Sequence, residues 1–107
     1  MITIYHDIDI KATAKSIFEM ITFPENLNKW WTVKSSGRPQ LNETYNFYFT
    51  DDYNWFAEVV AVENNKTIRF LMTQADDDWT GTEMTFEIIN KPKGLQTLRF
   101  EHRGWQN

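Results

Sequence analysis

The sequence predicts a single α+β domain on an antiparallel sheet with one strongly aromatic face. Three observations carry this reading. Apolar residues recur with period two in about six separate stretches, the mark of half-buried strands. Between the first and second stretch the period shifts to that of helices. The later stretches are joined by short turns, which make neighbours antiparallel. At 107 residues the chain is one domain's worth and can bury roughly two thirds of its unfolded surface.

Ile2, Ile4, Ile8 and Ile10 alternate with Thr3, Tyr5, Asp7 and Asp9, so the first strand has one buried face, with His6 on its apolar side. Thr13 can cap a helix. Ala14, Ile17, Phe18 and Ile21 then follow at helical spacing,. Pro24 ends that helix and suits the first turn of a second, through Leu27 to Trp31,. Lys34 to Asn42 is polar, contains Gly37 and Pro39, and reads as a loop,. Tyr45, Phe47 and Phe49 share one face of a strand over 44–50, and Trp55 to Glu63 is the next. Ile68, Phe70 and Met72 mark a further strand, followed by the acidic loop Ala75 to Trp79. Thr82, Met84, Phe86 and Ile88 alternate with Glu83, Thr85 and Glu87. A Pro/Gly turn over 90–94 leads to the last strand, with Leu98 and Phe100 on its apolar face,.

Composition excludes several function classes. Cysteine is absent, so there is no disulfide and no cysteine metal site,. A net charge of −4 with scattered Lys and Arg argues against a nucleic-acid backbone binder,. No apolar stretch reaches membrane-spanning length, and the first residues lack the basic start and apolar run of a secretory signal. The expectation is a cytoplasmic protein that binds neither membrane nor nucleic acid. Aromatic residues form 16% of the chain, too many rings to leave in water, so they must line a core, an interface or a pocket.

Four pieces resemble the START-like superfamily, also called helix-grip or SRPBCC proteins. They are the entry Ala12 to Phe18, the run Thr22-Phe23-Pro24-Glu25-Asn26-Leu27-Asn28-Lys29-Trp30-Trp31, the strand Trp55-Phe56-Ala57-Glu58-Val59-Val60, with Ala57 where the family usually has Gly, and the exit Glu101-His102-Arg103-Gly104-Trp105. The Pro-Glu-x-Leu-x-x-Trp-Trp piece is the most specific. The branch most resembled is the activator of heat-shock-protein ATPase family. The resemblance implies a curved sheet gripping a long C-terminal helix, with a hydrophobic cavity between them. Only Trp105, Gln106 and Asn107 follow Gly104, so that helix is missing, and the expectation is one START-like domain over 1–107, truncated at its C-terminus. A chain complete at this length is expected to form a homodimer that buries the exposed face.

Candidate ligand-binding residues are Trp30, Trp31, Phe47, Phe49, Phe70, Met72, Met84, Phe86 and Phe100. Pockets for small molecules are mostly apolar, but the same residues suit a filled core, and side chains alone do not separate the two. Of the adjacent tryptophans, one is expected to pack under the helix and the other to edge the cavity mouth. Trp55 and Trp79 lie near strand ends, where they could rim the same opening. His6 and His102 fall on neighbouring strands, but nothing supplies further metal ligands. Asp76, Asp78, Thr80, Gly81 and Glu87 fit much of a calcium-loop spacing, yet their flanks read as strands, so the segment reads as a solvated turn. Glu58 is a buried carboxylate if Phe56 and Val60 face inward, and a solvated one if Trp55, Ala57 and Val59 do. No catalytic constellation, metal site or cofactor is predicted. The leading reading is a binding domain for a hydrophobic small molecule. The alternatives are a chaperone-associated interaction domain and a cyclase- or hydrolase-like enzyme using a cavity carboxylate.

Overall fold

The computed structural model describes residues 2–105; Met1, Gln106 and Asn107 lie outside the described residues. The order is β1 (Ile2–Ile10), α1 (Ala14–Thr22), α2 (Pro24–Trp30), β2 (Lys34–Ser36), β3 (Thr44–Thr50), β4 (Tyr53–Glu63), β5 (Thr67–Gln74), β6 (Glu83–Asn90) and β7 (Gln96–Trp105). The strands form one antiparallel sheet ordered β1-β7-β6-β5-β4-β3-β2. It has seven strands rather than about six. The extra one is β2, inside the segment read as a loop. Its three residues show no apolar alternation, and they become a strand by pairing with Asn46 to Tyr48 of β3.

Directly opposed residues of an antiparallel ladder point to the same side. Ile4, His102, Met84, Phe70 and Val59 therefore share one face, as do His6, Phe100, Phe86 and Ile68. This is the concave face. The convex face carries the charges: Arg99 Nε and Nη2 donate to the Asp7 carboxylate at 2.9 and 3.1 Å. On the same face Arg103 Nε donates to Glu83 at 2.9 Å.

Helix α1 starts where the sequence places it. Thr13 Oγ1 accepts from the Ser16 amide at 3.1 Å, and Ile17, Phe18 and Ile21 are buried. The last carbonyls of a helix run short of intrahelical partners, and here side chains of α2 bond two of them, one of which, Glu19, also accepts from the Phe23 amide at 3.0 Å. Asn26 Nδ2 donates to the Glu19 carbonyl at 3.1 Å, and Trp30 Nε1 donates to the Met20 carbonyl at 2.9 Å. A third tie runs to the sheet, where the Tyr45 hydroxyl donates to the Thr22 carbonyl at 2.7 Å. These bonds lock the helix pair across one part of the concave face and leave β1 and β7 uncovered beside it.

Strand β4 decides the direction of Glu58. A bulge between Val59 and Ala61 breaks the alternation,. Ala57 and Val59 point inward before it, and Val62 opposite Ile68 after it. Glu58 opposes Thr44 and Leu71 on the convex side. Of the two orientations compatible with the sequence, the structure adopts the one that keeps this carboxylate out of the concavity. The extra residue at the bulge is why both faces of the segment look apolar in one dimension.

Candidate functional site: an apolar groove beside the first strand

A groove runs between the helix pair and strands β1, β7 and β6. It has two lobes, each of about 310 Å³, that share Ile8, Trp30 and Leu98. The first lobe is walled by Ile17, Met20 and Ile21 of α1. The second is floored by Met84, Phe86 and Phe100 and walled by Trp30, Trp31 and Trp79. Among the described residues its one ionisable side chain is His6, and none that line either lobe is a carboxylate. An enzyme acting through a cavity carboxylate thus finds no acid in this groove.

The nine residues singled out in the sequence divide into three groups. Trp30, Trp31, Met84, Phe86 and Phe100 line the second lobe. Phe47, Phe70 and Met72 are fully buried below it, packed with Tyr45. Phe49 is half-buried between Trp31 and Trp55, with ring centroids 5.6 and 5.2 Å away. Sequence reasoning did not single out Ile8, Leu98 or the α1 residues as lining. Their alternation signalled a buried face, and only the sheet order shows that β1 is an edge strand beside the helix pair.

The two tryptophans are placed by the helix end. Trp31 is the residue that caps α2, with non-helical φ −127° and ψ −60°. Its ring turns onto Phe47, 4.9 Å between centroids. Trp30 stays on the helix, is exposed, and edges the groove. Because Trp31 has left the helix, the two indoles stack, 5.7 Å apart at 15°. The row continues through Phe49, Trp55 and Trp79 to His102, whose ring lies 4.0 Å from that of Trp79. Trp55 and Trp79 therefore stand in one ring wall, 5.1 Å apart.

His102 is buried. The Thr82 hydroxyl donates its proton to the Trp79 carbonyl, so toward His102 it can only accept, and His102 Nε2 donates to it at 2.7 Å,. His6 and His102 share the concave face but are not directly opposed. His6 opposes Phe100, and the Phe100 ring stands between them, 6.3 and 6.4 Å from the two imidazoles. Burial lowers the proton affinity of His102 below its ordinary value of 6.5,. The unfolded chain then binds more protons than the folded one as pH falls below that value, so stability is fully present above about pH 6.5 and declines beneath it. Urea midpoints measured at pH 7.5 and 5.5 are expected to show this decline, and His102→Gln should reduce it. An equal decline in both proteins would reject the assignment to His102.

The acidic loop does not gather the calcium-type ligand set. It closes on itself, with the Trp79 and Thr80 amides donating to the Asp76 carbonyl at 2.8 and 3.0 Å. Glu87 lies on β6 opposite Thr67 and Arg99, on the convex face. Among the described residues no cluster of three His, Asp or Glu could hold a metal ion. No helix among them is long and apolar enough to cross a membrane.

The sequence model of the family described as activator of Hsp90 ATPase homolog 1-like protein matches residues 11–107. The chain belongs to this family. Among solved structures, this AHSA1-like domain is similar to the Aha1 dimer from Colwellia psychrerythraea, with 30% identity over 100% of this chain and 79% of that one, at a TM-score of 0.88. It is also similar to protein MLL2253 from Mesorhizobium loti, with 24% identity, coverage of 97% and 77%, and a TM-score of 0.82. An HSP90 activator from Plasmodium falciparum shares the fold at 10% identity, covering 97% and 74%, with a TM-score of 0.80. No curated protein matches the chain. The START-like reading of the sequence and the helix-grip type of sheet both hold.

Proposed function

We propose that this AHSA1-like domain binds a hydrophobic small molecule in the groove beside β1. The observation that carries the reading is the apolar lining of two joined lobes, each of about 310 Å³. Concave, ring-lined sites with few polar groups are what small apolar ligands need. The wall is also preset, because the Trp30 indole is tied to the Met20 carbonyl and costs little to order on binding. Phe47, Phe70 and Met72 would support the site from beneath rather than touch the ligand.

Leu98 is common to both lobes, so Leu98→Arg tests the reading. Titration with 1-anilinonaphthalene-8-sulfonate is expected to show binding to the wild-type domain and at least about tenfold weaker binding to the variant, a change of about 1.4 kcal/mol. Circular dichroism checks that the variant is folded. Unchanged affinity would reject the groove as the site.

The family's description favours a second reading, docking on an Hsp90-type ATPase. Faster ATP hydrolysis by such a chaperone on adding the domain, undiminished in Leu98→Arg, would favour that reading over the first. We further carry the dimeric state of the C. psychrerythraea protein over to this chain as part of the proposal.

A further inference from the structure

We propose that a second copy of this chain pairs with the free edge of β1, antiparallel and centred on His6, so that the two apolar grooves meet across the dimer axis. This rests on the dimeric reading above and adds the surface and the register.

The two edges of the sheet are built differently. Natural sheets blunt an edge with short strands, Lys, Pro or bulges, because unpaired backbone groups recruit other strands. Strand β2 follows that rule. It has three residues, begins with Lys34, and is followed by Gly37 and Pro39. Strand β1 does not. It runs for nine residues without Pro or Lys, its only irregularity is between Ile2 and Thr3, and Ile8 is 58% exposed. The acids of this edge are already neutralised within the chain. Asp7 is held by Arg99. Asp9 accepts from Thr97 and Lys91 at 2.7 and 3.2 Å. Neither is left to repel a second copy.

Charge and parity select the register. His6 is the midpoint of Ile2–Ile10, so centring there pairs the whole strand. Ile4 then opposes Ile8 of the second copy, and Asp7 opposes Tyr5 of the second copy. Centring on Asp7 sets that carboxylate against itself, and centring on Ile8 sets Asp7 against Asp9; like charges directly opposed are destabilising. Centring on Tyr5 shortens the ladder and replaces the Ile4–Ile8 pairs by Ile4–His6. In the His6 register the exposed isoleucines of both copies form one apolar stripe. Because His6 and Ile8 also line the groove, the stripe joins the two grooves into one site to which both chains contribute.

The chain has no cysteine, so introduced ones report the register cleanly. Residues opposed across an antiparallel pair lie about 4.5–5.5 Å apart at Cα, inside the range of about 4.4–6.8 Å that a disulfide spans. Sedimentation of the wild-type protein is expected to give a dimer. Mild oxidation should convert His6→Cys to a covalent dimer and leave Ile8→Cys alone uncross-linked, because its own counterpart is about 13 Å away along the strand. A mixture of Ile4→Cys and Ile8→Cys should cross-link. A monomer at every concentration would overturn both the dimeric reading and this surface. A dimer in which Ile8→Cys cross-links, or in which His6→Cys does not, would keep the dimer and overturn this surface.

Discussion

Phe70→Ala is expected to destabilise the domain by about 3–5 kcal/mol, a large part of the roughly 5–15 kcal/mol that holds a small protein folded. The Phe70 side chain is 1% exposed. Its ring meets those of Tyr45 and Phe47 nearly edge-on, at 5.0 and 5.5 Å between centroids. Met84 and Val59 oppose it on the flanking strands. Truncation removes the transfer energy of the ring and leaves a hole that these locked neighbours cannot fill. Urea unfolding followed by circular dichroism should show a midpoint lowered by about 2 M with little change in slope. A loss below about 1 kcal/mol would mean that the site collapses freely and that the ring cluster is not the rigid floor on which the groove rests.

Gly37→Ala should cost nearly as much, about 2–4 kcal/mol, although it adds one methyl group in a segment that reads as a loop. Gly37 has φ +138°, a region L side chains rarely occupy,. A Cβ there would lie 2.5 Å from Cγ of Tyr45 and 2.7 Å from both Cδ atoms. The ring cannot retreat, because it is fully buried and its hydroxyl is bound to the Thr22 carbonyl. Burial, with some help from Glu43, also pushes the Tyr45 phenol up, so it stays a proton donor to that carbonyl at any working pH. The same urea titration measures the loss. A variant as stable as the wild type would show that the backbone after β2 can move off the ring.

Much of this was legible in one dimension because local signals agreed with the tertiary outcome. The isoleucine alternation gave β1, and the spacing of Ala14, Ile17, Phe18 and Ile21 after Thr13 gave α1 with its cap. The Pro-Glu-x-Leu-x-x-Trp-Trp run was the most specific of the four pieces that marked the family, whose model matches residues 11–107. Strand β2 was not legible, since its three polar residues owe their conformation to β3. Nor was the direction of Glu58, because the bulge after Val59 leaves both faces of β4 apolar and hides the parity that puts Ala57 and Val59 inward.

The α+β class and the residues of the aromatic face follow from period and composition along the chain, and the family from its motif pieces. Which aromatic residues are floor and which are surface depends on packing in three dimensions. Phe47, Phe70 and Met72 are fully buried, while Phe86, Phe100 and Trp30 line the groove. Alternation reports which side of a strand is apolar, but not what lies above it. That depends on sheet order, which sets β1 at an open edge, and on where the helix pair is tied down by Trp30, Asn26 and Tyr45.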